Sequence, residues 1–108
     1  MFTVQIVNKY KSVPQAYTIY CGRGSALGNP YVAKDRTQSE RDRVCELYKD
    51  TFVSRMKESQ SMKDQLNLIW NTGRRNGIVE LQCYCYPRRC HCETIKDIIM
   101  NKQVELGR

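Results

Sequence analysis

Four of the six cysteines and the single histidine of this 108-residue chain fall within ten residues, Cys83-Tyr84-Cys85-Tyr86-Pro87-Arg88-Arg89-Cys90-His91-Cys92. Thiols and imidazoles are ligands for soft metals and can act as nucleophile and base, so chemistry is expected here first. Zinc would take Cys83, Cys85, Cys90 and either His91 or Cys92, which supply the four donors of a tetrahedral site at about 2.0 to 2.3 Å. The spacing departs from the Cys-x-x-Cys knuckle of zinc ribbons, and reduced thiols packed at a chain corner, with His91 hydrogen-bonded as a positioning group, fit the same residues. Cys90 and His91 also stand at the start of a helical pattern. Free amides and the helix dipole there favour a thiolate, and Arg88 or Arg89 would lower its pKa further. Adjacent side chains at a helix start usually diverge, so His91 is not expected to be the base for Cys90. With no second histidine, and Glu93 as the one carboxylate at hand, ligand binding is favoured over acid–base catalysis and no catalytic residue is assigned.

A second candidate is the loop Gly22-Arg23-Gly24-Ser25-Ala26-Leu27-Gly28-Asn29-Pro30. Gly22, Gly24 and Gly28 let backbone amides approach an anion, while Arg23 offers a guanidinium fork and Ser25 a hydroxyl to the same phosphate. A dinucleotide fingerprint requires Gly-x-Gly-x-x-Gly opening directly into a helix. Here the third glycine comes one residue late and Asn29-Pro30 intervenes, so a phosphate or ribose site and a merely tight loop stand side by side. Tyr84 and Tyr86, or Tyr20 and Tyr31, have the chemistry to stack a base, although tyrosines on a sheet usually just pack. No helix-turn-helix, finger or nucleic-acid-binding strand signature is present.

The elements that must position these groups follow from periodicity. Phe2, Val4 and Ile6 alternate with polar residues as in a half-buried strand, and Tyr17, Ile19 and Cys21 mark a second strand running into the glycine loop. Thr37-Gln38-Ser39-Glu40 has the spacing of a reciprocal capping box, so a helix begins there and carries Val44, Leu47, Tyr48, Phe52 and Met56 on one face. The pattern breaks at Ser59 to Ser61. A shorter helix with Leu66, Ile69 and Trp70 follows and ends near Gly73 and Gly77. Trp70 reads as core, as do Cys21 and Cys45. Ile78 to Tyr86 reads as the third strand, with Cys83 and Cys85 on one face and Tyr84 and Tyr86 on the other, ended by Pro87. Ile95, Ile98 and Ile99, joined by Cys92, give the stripe of a last helix, and Gln103 to Arg108 reads as a frayed tail. This order implies a single α/β domain over residues 1–108, with a mainly parallel sheet flanked by helices. Ligands of such sheets bind at the carboxyl ends of strands, where both motifs lie, so the two are expected to wall one crevice.

Composition limits the partners. Eighteen Lys and Arg against eleven Asp and Glu give a net charge of +7, which suits a nucleotide, a nucleic acid or an acidic protein surface. No apolar run approaches the roughly 20 residues needed to cross a bilayer, and the first twenty residues lack the apolar core of a signal peptide. A cytosolic setting is expected, in which clustered cysteines are ligands or reactive groups rather than disulfides.

Tyr20-Cys21-Gly22-Arg23 through Gly28-Asn29-Pro30-Tyr31, the helix around Tyr48, and Leu81-Gln82-Cys83-Tyr84-Cys85-x-Pro87-x-x-Cys90-His91 together resemble the family called domain of unknown function 4326. The likeness spans roughly Tyr17 to Met100. Members of that family are frequent in bacteriophages, so the resemblance implies the cytosol of a host cell and a small Rossmann-like domain akin to nucleotide-binding and nucleoside-sugar-cleaving families. It carries over to Gly22, Arg23, Gly28, Asn29, Pro30, Cys83, Cys85, Pro87, Cys90 and His91. Relatives often have Gly-Asp where this chain has Cys92-Glu93, so the resemblance does not carry over an acid role at that position, nor with it a shared catalytic activity. Two functions are therefore expected in competition. One is a crevice for a nucleotide-like ligand, held by Gly22, Arg23, Gly24, Ser25, Gly28, Asn29, Cys90 and His91. The other is a basic phage effector that binds a host protein or nucleic acid without a small ligand.

Overall fold

A computed structural model describes residues 1–107. Three strands, β1 (Thr3–Asn8), β2 (Thr18–Tyr20) and β3 (Ile78–Cys83), form one sheet in the order β1-β3-β2, and both pairings are parallel. Three helices, α1 (Gln38–Glu58), α2 (Gln60–Asn76) and α3 (Cys92–Leu106), complete the mixed α/β fold that the sequence implies. Both α2 and α3 pack on the sheet, and α1 packs on α2. The central strand is also the most apolar: Val79, Leu81 and Cys83 are buried among Phe2, Val4, Ile69, Ile95 and Ile99. No described helix is long and apolar enough to cross a membrane.

Local chemistry sets the helix limits. Thr37 caps α1 by accepting the Glu40 amide at 3.3 Å, but the reciprocal half of the box does not form, because the Glu40 carboxylate reaches back to the Lys34 amide and across to Arg43. Ser59 ends α1 and caps α2 through the Met62 amide. Gly77 closes α2 at φ +76°, a left-handed value that favours glycine. Earlier in α2, Gly73 is required by proximity: a Cβ there would overlap the Phe2 ring.

Two sequence expectations are corrected here. Strand β3 stops at Cys83, three residues short of Tyr86, because its partners run out: Asn8 is opposite Cys83 and Tyr20 opposite Gln82. Cys83 is consequently buried and Cys85, beyond the ladder, exposed, so the two cysteines do not share a face. Nor does the chain fray at Gln103. Helix α3 continues to Leu106, and the buried Gln103 amide clamps the start of the chain, accepting from the Phe2 amide at 2.7 Å and donating to the Phe2 carbonyl at 3.1 Å. Only Arg108 of that expected tail lies outside the described residues.

Candidate functional site

Because β2 and β3 are parallel neighbours, the glycine loop and the cysteine corner leave the same edge of the sheet and meet. The contact is a buried one: His91 Nε2 lies 2.6 Å from the Cys21 carbonyl, where it donates a proton. A cavity of about 430 Å³ opens between them, lined by Gly22, Arg23 and Asn29 on one side and by Cys83, Cys85, Cys90 and His91 on the other. Its third wall is the irregular segment from Tyr31 to Thr37 with the first turns of α1, which bring in Arg36 and Arg41.

The glycine loop contributes less than its composition promised. Gly24, Ser25 and Gly28 do not line the cavity. Ser25 turns inward, and its hydroxyl and amide both donate to the Gly22 carbonyl, at 2.7 and 3.1 Å. Gly28 packs against that carbonyl so closely that a Cβ would sit 2.5 Å from the oxygen. Asn29 lines the cavity, yet its amide is occupied by the Val44 carbonyl and the Tyr31 amide, so it orders the third wall. The loop is braced from behind. Gln65 accepts from the Leu27 amide and donates to the Tyr20 carbonyl, and the buried Tyr48 hydroxyl donates to the Leu27 carbonyl at 2.6 Å. Neither brace carried a sequence signal beyond its helical spacing.

At the other wall the sulfurs converge. The Sγ atoms of Cys83, Cys90 and Cys92 all lie within 4.8 Å of one another, and all three residues are buried. Cys92 thus replaces His91 in the sulfur cluster, because the imidazole is held between the Cys21 carbonyl and the edge of the Tyr48 ring, 5.0 Å away. Cys85 stands at the cavity mouth, outside that mutual distance. Burial holds His91 below its ordinary pKa, so it is neutral near pH 7, with its proton on Nε2 and Nδ1 as an acceptor 3.6 Å from Cys90 Sγ.

The adjacent Cys90 and His91 side chains therefore do meet, contrary to expectation, but Cys90 is not an activated nucleophile. Its pKa is raised because its thiol donates to Cys83 and Cys85, with burial adding to the effect. The two arginines expected to depress it act elsewhere: Arg88 is exposed, and Arg89 bonds Asp42 at 3.2 Å and Glu46 at 2.5 Å, which ties the corner to α1. One helix-start amide does reach the sulfur, Cys92 N–H donating to Cys90 Sγ at 3.5 Å, but its lowering effect is smaller than the rise caused by Cys83 and Cys85. The thiols whose pKa falls are Cys83, lowered by the thiols of Cys90 and Cys92, and the exposed Cys85, lowered to about 7 by the Cys90 thiol. Cys85 is thus the thiol that combines access with thiolate character.

The third wall holds what the sequence reading overlooked. Arg36 and Arg41 join Arg23 at the cavity, and among the described residues none of the three forms an ion pair. Their spacing along the chain gives no motif, and only the return of residues 31–37 over the sheet edge gathers them.

Against known proteins, the family described as Domain of unknown function (DUF4326) matches residues 4–101. The chain belongs to this family. No curated protein and no solved structure gives a significant match. The DUF4326 match takes in both cavity walls and the arginine segment between them, so the whole candidate site lies within the family's span.

Proposed function

We propose that the crevice between the glycine loop and the Cys/His corner binds a phosphorylated, nucleotide-like ligand. The observation that carries this reading is the trio of arginines without ion-pair partners, Arg23, Arg36 and Arg41, around one cavity. A guanidinium offers a planar fork of donors matched to phosphate oxygens, and three arginines lining one concave space, against the single carboxylate of Asp35, favour a polyanion over a neutral ligand. The volume, about 430 Å³, suits a molecule of nucleotide size. Asn29 and Gly22 shape the walls, and neutral His91 holds the glycine loop against the corner. The reading calls for binding and assigns no bond-breaking step.

Thermal unfolding in the presence of ADP or inorganic pyrophosphate tests it. Saturating ligand at about 100 times Kd adds about 2.7 kcal/mol of stability, which for a domain of this size raises the melting temperature by several degrees. Arg23→Ala and Arg36→Ala should each remove most of the rise. Absence of any shift with nucleotides and pyrophosphate alike would overturn the reading.

A second reading is favoured by a separate observation, the mutual approach of three buried sulfurs: Cys83, Cys90 and Cys92 would hold a zinc ion. Tetrahedral zinc with sulfur ligands at about 2.3 Å needs sulfurs about 3.8 Å apart, so the cluster is within a small adjustment of that geometry. The fourth position would open toward Cys85 and the cavity. Elemental analysis of protein purified without chelator should give one zinc per chain, and Cys92→Ser should abolish it, whereas His91→Gln should retain it. A metal-free chain that resists zinc reconstitution rules this out.

A further inference from the structure

The three parallel strands end side by side, and each has a tyrosine at its end or within two residues after it. Tyr10 follows β1 by two residues, Tyr20 closes β2, and Tyr84 is the first residue after β3. The Tyr84 ring centroid lies 5.1 Å from that of Tyr10 and 5.9 Å from that of Tyr20, and Lys9 Nζ sits 4.7 Å from the Tyr20 ring and 5.3 Å from the Tyr84 ring. The cluster is not core: Tyr10 is 81% exposed and Tyr84 42%.

A side chain is committed to presenting it. The Asn8 amide donates to the carbonyls of Tyr84 at 3.2 Å and Tyr86 at 2.6 Å, while its oxygen accepts from the Tyr10 amide at 2.8 Å. One residue thus ties the backbones of both exposed rings together. The platform also joins the arginine crevice: Tyr84 lines that cavity, and the Tyr20 hydroxyl donates to the Arg23 carbonyl at 2.8 Å. The close pass of Tyr20 over the loop needs glycine at position 22, where a Cβ would meet the Tyr20 hydroxyl at 2.6 Å. On its far side, Asn8 and Tyr86 line a second groove, which carries Lys11 and Lys96.

We propose that this edge binds a short single-stranded nucleic acid, with unpaired bases stacked on Tyr10 and Tyr84 and the backbone running from the arginine crevice to the Lys11 and Lys96 groove. The proposal rests on the reading that the crevice takes phosphate, and extends it from one nucleotide to a strand. Preordered exposed rings with cationic groups on both sides fit a strand that passes over them; a mononucleotide would use the crevice alone and leave the second groove idle. Duplex bases are stacked and paired, so the rings discriminate against them.

Fluorescence anisotropy with a labelled 12-nucleotide oligothymidylate, its duplex with oligoadenylate, and labelled ADP separates the possibilities. The strand should bind more tightly than either the duplex or ADP. Tyr10→Ala, at an exposed position, should weaken strand binding about tenfold with the salt dependence unchanged, and Tyr10→Phe should restore it. Arg23→Ala should weaken strand and ADP together and lower the slope of log K against log salt by about 0.7. ADP binding without tighter strand binding would overturn the strand proposal and leave the phosphate reading standing. Equal binding of strand and duplex, insensitive to Tyr10→Ala, would reduce the surface to unselective charge attraction and also overturn it. Failure of every probe would remove both.

Discussion

The glycine loop and the cysteine corner are the two segments whose composition announces a site, and they use their residues in opposite ways. The loop turns its polar groups on itself: Ser25 and Gly28 close on the Gly22 carbonyl, and Leu27 is held by Gln65 and Tyr48. What it offers the cavity is reduced to Gly22, Arg23 and the positioning side chain of Asn29. The corner buries three sulfurs but leaves Cys85 open to the cavity with a lowered pKa. The loop's three glycines serve three different needs: Gly28 passes close to the loop's own backbone, Gly22 makes room for the Tyr20 ring, and Gly24 takes a left-handed φ.

The largest test of this contrast removes the brace shared by both regions. Tyr48 is fully buried, bonds the loop at Leu27 and packs against His91 of the corner. Tyr48→Ala should cost about 4 kcal/mol in urea unfolding. Tyr48→Phe, which strands only the Leu27 carbonyl, should cost about 1 to 2 kcal/mol.

Within the loop, the glycines should separate. Gly28→Ala drives a methyl group into the Gly22 carbonyl and should cost about 3 kcal/mol, the upper range for overpacking, with loss of ADP binding. Gly24 has φ +94° and no neighbour within 4 Å, so Gly24→Ala meets backbone strain alone and should cost about 1 kcal/mol. Equal costs would mean that the loop is not packed on itself.

The smallest effect on stability belongs to Cys85→Ser, which should stay within about 0.5 kcal/mol of the parent, as at other exposed positions. Its signature is chemical instead. In metal-free protein, iodoacetamide should modify Cys85 first, at a rate that follows the thiolate fraction: it rises as pH increases through about 7 and levels off above. Peptide mapping checks the assignment. Modification led by Cys90 would reverse the division of roles within the corner.

Much of the fold was legible because local rules and global packing agree. Thr37, Ser59 and Gly77 mark helix ends through caps that act within a few residues, and buried Phe2 and Val4 alternate with exposed Thr3 and Gln5 as in a half-buried strand. The end of β3 was not legible, because a strand lasts only as long as its partners, and the register of β1 and β2 is set elsewhere in the chain. Gln103 misled for a related reason. A polar residue near a terminus reads as solvated until the Phe2 backbone, 101 positions away, is found to need both of its groups.

Sequence alone determined the chemical inventory: a sulfur-rich corner, a glycine loop, an excess of positive charge, and their placement at the carboxyl ends of strands in a parallel α/β sheet. It did so because residue type fixes what a side chain can donate, accept or ligate, and periodicity fixes which backbone carries it. Only the tertiary structure decided that Cys92 rather than His91 completes the sulfur trio, that Cys85 is the accessible thiol of lowered pKa, and that Arg36 and Arg41 join Arg23. Those outcomes depend on distances and burial between segments far apart in the chain, and pKa and ligand geometry respond to exactly such proximity rather than to order along the sequence.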